Sequence, residues 1–272
     1  MSETTQQEAT TPVVAKNGNF VWHELRTTDA KAAENFYTYV IGWQAKNSGD
    51  PGGIPYTLLS VGGLDTAGLM QLAPEMLADG MKPAWVSFIG VDDVDVYANR
   101  LEQAGGKLHF APQDIPGIGR FASVEDPQGA TFVLFKGSLD SPPPRPPVGS
   151  PGTVGWNELS ANDGESAWPF YSSLFGWVQD STMDMGLAGT YRIFNNGGAP
   201  VGAMMTRDPG KSPMPFWLPY LNVENIDAAA ARIQEKNGQI FMGPHEVPGD
   251  LWIVLANDPQ GVLFAVVGPR KQ

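Results

Sequence analysis

The sequence predicts an α+β protein that uses one fold twice, with two βαβββ units in each copy. Three observations predict it. First, the chain repeats itself: Trp22, Glu24, Leu25, Asp29, Phe36, Tyr37, Gly42 and Trp43 recur as Trp156, Glu158, Leu159, Asp163, Phe170, Tyr171, Gly176 and Trp177 at an offset of 134. Tyr56 and Gly62-Gly63 recur as Tyr191 and Gly197-Gly198 at 135, and Asp126-Pro127-Gln128-Gly129 recurs as Asp258-Pro259-Gln260-Gly261 at 132. So small a drift over so many matches is the mark of a duplication. Second, SLDSPPPRPPVGSPG holds six prolines near the midpoint, a composition that favours a stiff extended connection. Third, the apolar pattern within each copy alternates between period two and period 3.6, as strands and helices require. The organisation expected is a flexible tail over residues 1–17, one domain over 18–137, a Pro-rich linker over 138–152 and a second domain over 153–272.

Each element has a local reason. NFVWHELRT is a short β-favouring run, and Asp29 after it is a helix N-cap whose carboxylate can accept from free backbone N–H groups. Ala32, Ala33, Phe36, Tyr37 and Val40 then fall at helical spacing, and Gly42 ends the helix. YTLLSV and the stretch around TAGLMQL read as strands joined at a Gly-Gly turn. AWVSFIGV opens the second unit, DDVDVYANRLEQAGG supplies its helix, and KLHFA, RFASVE and ATFVLF complete it, with DPQG as the turn before the last strand. The second copy follows the same plan.

Composition narrows the function. The 272 residues carry 17 Lys and Arg against 29 Asp and Glu, a net charge of −12 that repels nucleic acid and anionic membranes. With no cysteine there is no disulfide framework, thiolate nucleophile or iron–sulfur ligand. The polar N-terminus lacks the features of a secretion signal, and no apolar run approaches the ~18 residues needed to cross a bilayer, so a cytoplasmic protein is expected. No phosphate loop, dinucleotide fingerprint or serine-hydrolase elbow is present.

The runs WHELRTTD and NFYTYVIGW, their twins in WNELSANDGESAWPFYSSLFGW, and the closing DPQGATFVLF and DPQGVLFAVV resemble the vicinal oxygen chelate superfamily of glyoxalases, bleomycin-resistance proteins and extradiol dioxygenases. Within it they are similar to bacterial tandem proteins of the mycobacterial CFP30B antigen type. The resemblance implies that each pair of units curls its sheet into a ligand-holding cup with helices outside. It also implies a metal held by one side chain from each of four cup strands. At the corresponding places stand Trp22 and Trp156, Met70 or Gln71 and Met204 or Met205, Val86 and Leu218, and Val133 and Ala265, which lack the hard oxygen and imidazole donors that such a metal takes. No cofactor is therefore expected. His23 stands beside Glu24, but neighbouring strand residues face opposite ways and the twin of His23 is Asn157, which puts His23 on the helix side. His109 and His245 are expected on surface strands or loops.

Counting by twos places Trp22, Glu24 and Arg26, and Trp156, Glu158 and Ser160, on the cup faces. Glu24 and Glu158 are the catalytic candidates, since a carboxylate beside indole is fitted to act as a general base or to accept from a ligand cation; the alternative is a purely structural role. The candidates for ligand contact are Trp22, Arg26, Tyr56, Met70, Trp85, Arg120, Trp156, Tyr191, Met204, Trp217 and Trp252, because aromatic and methionine walls suit flat organic ligands. The asymmetric pairs Arg26 with Ser160 and Arg120 with Trp252 suggest different ligands for the two cups. The leading expectation is a metal-independent binder of a small aromatic or apolar molecule. A glyoxalase-like lyase, isomerase or oxygenase working through Glu24 or Glu158 is the alternative, and a scaffold with filled cups is the third. A monomer with paired internal repeats or a homodimer is expected.

Overall fold

A computed structural model of the protein describes residues 17–49, 53–139, 143–186, 189–210 and 212–271. All but the last residue of the expected tail, and residues 140–142 of the Pro-rich connection, lie outside the described residues.

The first copy runs β1 (Phe20–Thr27), α1 (Ala30–Ile41), β2 (Gln44–Asn47), β3 (Tyr56–Val61), β4 (Leu64–Gln71), α2 (Pro74–Ala78), β5 (Ala84–Gly90), α3 (Val94–Gln103), β6 (Lys107–Ile115), β7 (Gly119–Glu125) and β8 (Thr131–Gly137). The second runs β9 (Val154–Ala161), α4 (Gly164–Phe175), β10 (Val178–Asp184), β11 (Thr190–Asn195), β12 (Pro200–Thr206), β13 (Phe216–Asn222), α5 (Ile226–Glu235), β14 (Gln239–Val247), β15 (Leu251–Asn257) and β16 (Leu263–Pro269). These are the four βαβββ units that the sequence predicts. The short α2, opened by Pro74 and joining the two units of the first copy, is an addition that its five residues were too few to announce. Each copy forms one eight-stranded sheet, in the orders β2-β3-β4-β1-β5-β8-β7-β6 and β10-β11-β12-β9-β13-β16-β15-β14. Within each unit the first strand pairs parallel to the last, and the two first strands, β1 with β5 and β9 with β13, pair antiparallel at the centre.

The helices begin and end as their local chemistry dictates. The Asp29 carboxylate accepts from the Ala32 N–H at 2.9 Å, and Asp163 caps α4 in the same way. Gly42 and Gly176 close the two helices in the left-handed conformation that costs glycine nothing.

The two sheets meet through their helix-bearing faces. Neither of the two large hydrophobic cores belongs to one copy. One joins Leu101 and Phe132 of the first copy to Tyr171, Trp177 and Phe194 of the second, and the other joins Tyr37 and Trp43 to Ile233 and Phe264. The repeated DPQG turn fastens this arrangement. Asp258 accepts from the Tyr37 hydroxyl at 3.2 Å and Asp126 from the Tyr171 hydroxyl at 2.9 Å, each across the copies. Gln260 accepts from the Asp29 N–H at 3.0 Å and donates to the Asp29 carbonyl at 2.9 Å, and Gln128 makes the same pair of bonds with Asp163. The indoles of Trp43 and Trp177 reach the carbonyls of Gly152 and Gly18, each 2.8 Å away in the other copy. Both glycines have positive φ, near +85°; a Cβ on Gly18 would stand 2.9 Å from the Trp177 indole nitrogen, and one on Gly152 would stand 2.7 Å from a Val61 methyl carbon.

His23 lies where the two copies touch. It is buried on the helix side, and its ring nitrogen sits 2.8 Å from the side-chain oxygen of its own twin, Asn157. Burial pushes the imidazole pKa down to about 4, so it is neutral at physiological pH. His109 and His245 lie exposed on β6 and β14.

Candidate functional site: two unequal cups

Strand alternation builds the floor of each cup. On β1, Trp22, Glu24 and Arg26 face one way and Leu25 faces the core; on β9, Trp156, Glu158 and Ser160 face the cup and Leu159 the core. Tyr56 on β3 and Tyr191 on β11 join them. The Trp22 indole donates to the Tyr56 hydroxyl at 2.9 Å, and Trp156 donates to Tyr191 at the same distance. Tyr191 donates in turn to Glu158 at 2.9 Å, and Tyr56 hydrogen bonds to Glu24. Each cup thus carries a chain from indole through phenol to carboxylate. In the first cup the Tyr56 ring approaches β4 closely at Gly68, which a glycine permits: a Cβ there would stand 1.8 Å from the phenol oxygen.

Beyond this shared chain the cups diverge. Arg26 donates to Glu24 at 3.0 Å, with side-chain exposures of 13% and 7%, so the first acid is neutralised and covered. The rings of Phe88 and Phe135 pack edge to face on each other and cluster with Val86 and Val133 to fill the floor beside it. The guanidinium of Arg145, from the Pro-rich connection, sits 5.5 Å from the Trp22 ring centre. In the second cup Ser160 replaces Arg26, Tyr220 replaces Phe88 and Val267 replaces Phe135, so the cation and one ring are lost and two hydroxyls are gained. Glu158 is only partly covered, and what holds it is phenolic: Tyr191, and a hydrogen bond to Tyr220. Burial raises its pKa above the usual carboxylate range, and the two tyrosine bonds only partly oppose that. The same burial, with the acid beside them, pushes the Tyr191 and Tyr220 hydroxyls upward, so both stay protonated as donors.

Several residues expected at the cups lie elsewhere. Trp85 and Trp217 are buried on the helix face, where each indole donates to a core tyrosine, Tyr37 at 3.1 Å and Tyr171 at 3.0 Å. Strand alternation explains this correction: Val86 and Leu218, one residue on, take the cup positions. Met204 is fully buried in the core opposite Leu159, and Met205 is the twin of Met70 on the cup side. Arg120 and Trp252 also face the helices. Arg120 forms ion pairs with Asp95 and Asp114, whereas Trp252 lies under Arg270, which pairs with Asp227, the twin of Asp95. Tyr220 was missed, and the sequence did hold a signal for it: it lies two residues beyond Leu218 on the same strand face, where its twin is Phe88.

The four places that would carry metal ligands present Trp22, Met70, Val86 and Val133 in one cup and Trp156, Met205, Leu218 and Ala265 in the other. These side chains do not fit a catalytic divalent ion, for which nitrogen and oxygen donors are needed. Among the described residues no group of three or more His, Asp and Glu is placed to hold a metal, and no helix is long and apolar enough to cross a membrane.

Comparison with known proteins agrees with this architecture. The model of the Glyoxalase/Bleomycin resistance protein/Dioxygenase superfamily matches residues 19–134 and 153–266. A putative glyoxylase, CFP32, of Mycobacterium bovis is 32% identical over 262 residues, covering 94% of this chain and 97% of its own. The anthracycline biosynthesis protein DnrV of Streptomyces peucetius is 31% identical over 262 residues, covering 92% and 93%. Among solved structures, the Mn(II)-bound glyoxalase of Novosphingobium aromaticivorans superposes with a TM-score of 0.65 at 14% identity, covering 94% of this chain and 83% of that one. The 2,2',3-trihydroxybiphenyl 1,2-dioxygenase of Sphingomonas wittichii gives 0.65 at 13%, covering 93% and 91%. At such identities these two structures speak for the fold alone.

Proposed function

The chain belongs to the Glyoxalase/Bleomycin resistance protein/Dioxygenase superfamily, and from that premise we propose that it binds a small aromatic or apolar organic molecule in its second cup without a metal. The observation that carries this reading is the Trp156–Tyr191–Glu158 chain, set in a wall that includes Tyr220, Leu255 and Met205, where a metal-dependent relative would need ligands. An apolar wall with a few convergent polar groups is the usual form of a small-molecule site. The name of the Streptomyces relative, an anthracycline biosynthesis protein, supports a flat polycyclic ligand. The first cup, with its acid paired and its floor filled by phenylalanine, is the structural member of the pair.

The test is a tryptophan-fluorescence titration with a hydroxylated anthraquinone, on protein dialysed against chelator. The expected result is saturable quenching, unchanged when Zn²⁺, Mn²⁺ or Fe²⁺ is restored and weakened about tenfold by Trp156→Ala, the scale of one lost aromatic contact. Binding that appears only with a divalent ion would sink the reading.

One observation favours chemistry in addition to binding. A carboxyl whose pKa is raised by burial, within reach of two phenols, is poised to take a proton from a bound ligand. Exchange of an acidic C–H of the ligand with deuterated solvent, lost in Glu158→Gln, would identify that role.

A further inference from the structure

We propose that the second cup selects an organic cation, an amine or quaternary ammonium carried on an aromatic or apolar body, with Glu158 as its counter-charge. The proposal rests on the binding site argued above and adds the charge of the ligand. Glu158 holds a carboxylate against Tyr191 and Tyr220, and no Lys, Arg or His among the described residues pairs with it. Its twin Glu24 has such a partner, Arg26, on the same face of the same strand two residues on. The second copy has kept the acid and lost the cation. A partly buried carboxylate without a counter-ion carries a desolvation cost, and a ligand that brings one recovers part of that cost on binding.

The surroundings favour the same sign. The strands of the first sheet carry Arg26, Lys46, Lys107, Arg120 and Lys136, whereas among the strands of the second only β11 carries a Lys or Arg, Arg192. Arg192 is committed to Glu165 and Gln179 and lies beside Trp168, on the helix side. Among the described residues, no arginine or lysine of the second sheet's strands therefore faces the cup to repel a cation. The faces of Trp156 and the two tyrosines offer the negative ring quadrupoles that draw ammonium groups, and the net charge of −12 draws cations from solution.

The experiment compares three probes of one shape on the full chain by calorimetry: 2-naphthylmethylammonium, 2-naphthylmethanol and 2-naphthoate. The ammonium should bind about tenfold or more tightly than the alcohol, and the carboxylate most weakly. Glu158→Gln, which keeps an acceptor for the tyrosines, should bring ammonium and alcohol level. Ser160→Arg, which copies the pairing of the first cup, should do the same by a different route. Ammonium and alcohol binding equally to the unaltered protein would overturn the cation assignment and leave the aromatic site standing, as would a preference that survives Glu158→Gln. Failure of all three probes to bind would overturn the aromatic site and the cation assignment together.

Discussion

In the first cup Glu24 meets the guanidinium of Arg26, while in the second Glu158 meets only phenols, because the corresponding position is Ser160. The indole and the tyrosine that complete each chain are the same in both. Duplication copied the frame, and the copies then parted at the side chains that decide whether the acid is satisfied from within. A covered acid paired with a cation is a structural part; a partly open one held only by phenols is available to a ligand. The core shows the opposite pattern. Trp43 and Trp177, Tyr37 and Tyr171, and Gln128 and Gln260 make matching contacts across the copies, and there twins should be interchangeable in effect.

The largest effect is therefore expected to be equal between copies. Trp43→Ala and Trp177→Ala each remove a buried indole and its bond to a glycine carbonyl, at a cost of ~3–5 kcal/mol apiece. Because each core draws on both copies, either substitution should unfold the chain in one cooperative denaturant transition. Two separated transitions would show that the copies are energetically independent, which would break the comparison at its base. For the same reason residues 1–140 alone should self-associate or aggregate in light scattering, since half of each core would be exposed.

At the cup floors the copies should part. Glu24→Gln leaves a covered guanidinium without its carboxylate, and loss of one partner from a buried pair costs ~3 kcal/mol or more. Urea denaturation measures it, and Arg26→Ser in the same background should recover part of the loss by removing the stranded charge. A cost within error of zero would mean that the Arg26 pair is solvated after all.

How much of this was legible in the sequence depended on whether one strand or several decided it. The alternation along β1 alone fixes that Trp22 and Glu24 share a face and that His23 does not, and the capping roles of Asp29 and Gly42 are local to one helix. The faces taken by Trp85 and Trp217 required the register of β5 on β1 and of β13 on β9, which no single segment encodes. Met204 and Met205 were both admissible for the same reason: one residue of register exchanges core for cup. DPQG reads as a turn and is one, closed between Asp126 and Gly129 at 3.0 Å. Its second task, holding the other copy's helix through Gln128 and Gln260, depends on how the sheets face each other and leaves no periodic trace.

The contact between twins gives a pH test. His23 has a folded pKa of about 4 against an ordinary value of 6.5, so the unfolded chain takes up its proton first as pH falls. Its contribution is fully present above pH 6.5 and is lost as the pH drops toward 4, by at most ~3 kcal/mol. His23→Asn should flatten the fall in stability measured by urea titration across that window. An unchanged slope would show that the histidine is solvated and that the His23–Asn157 contact between the copies is open.

The smallest effect carries the opposite sign. Glu158 has a raised folded pKa, so the native state holds its proton more tightly than the unfolded chain does. The contribution that this proton makes to stability is present below the ordinary carboxylate pKa and is lost as pH rises through the folded value. Once ionised, the group is therefore a burden on the fold. Glu158→Gln removes the charge while leaving an oxygen to accept from Tyr191 and Tyr220, so it should stabilise the protein by ~1 kcal/mol at neutral pH, about the worth of a modest desolvation penalty. The gain should vanish in acid, where the wild-type carboxyl is protonated in both states. A residue that lowers stability where the protein works is maintained by function, whereas a structural acid shows the loss expected of Glu24. Thermal or urea denaturation of the two variants at pH 7 decides between these roles, and destabilisation by Glu158→Gln comparable to that by Glu24→Gln would make both acids structural and the two cups equivalent.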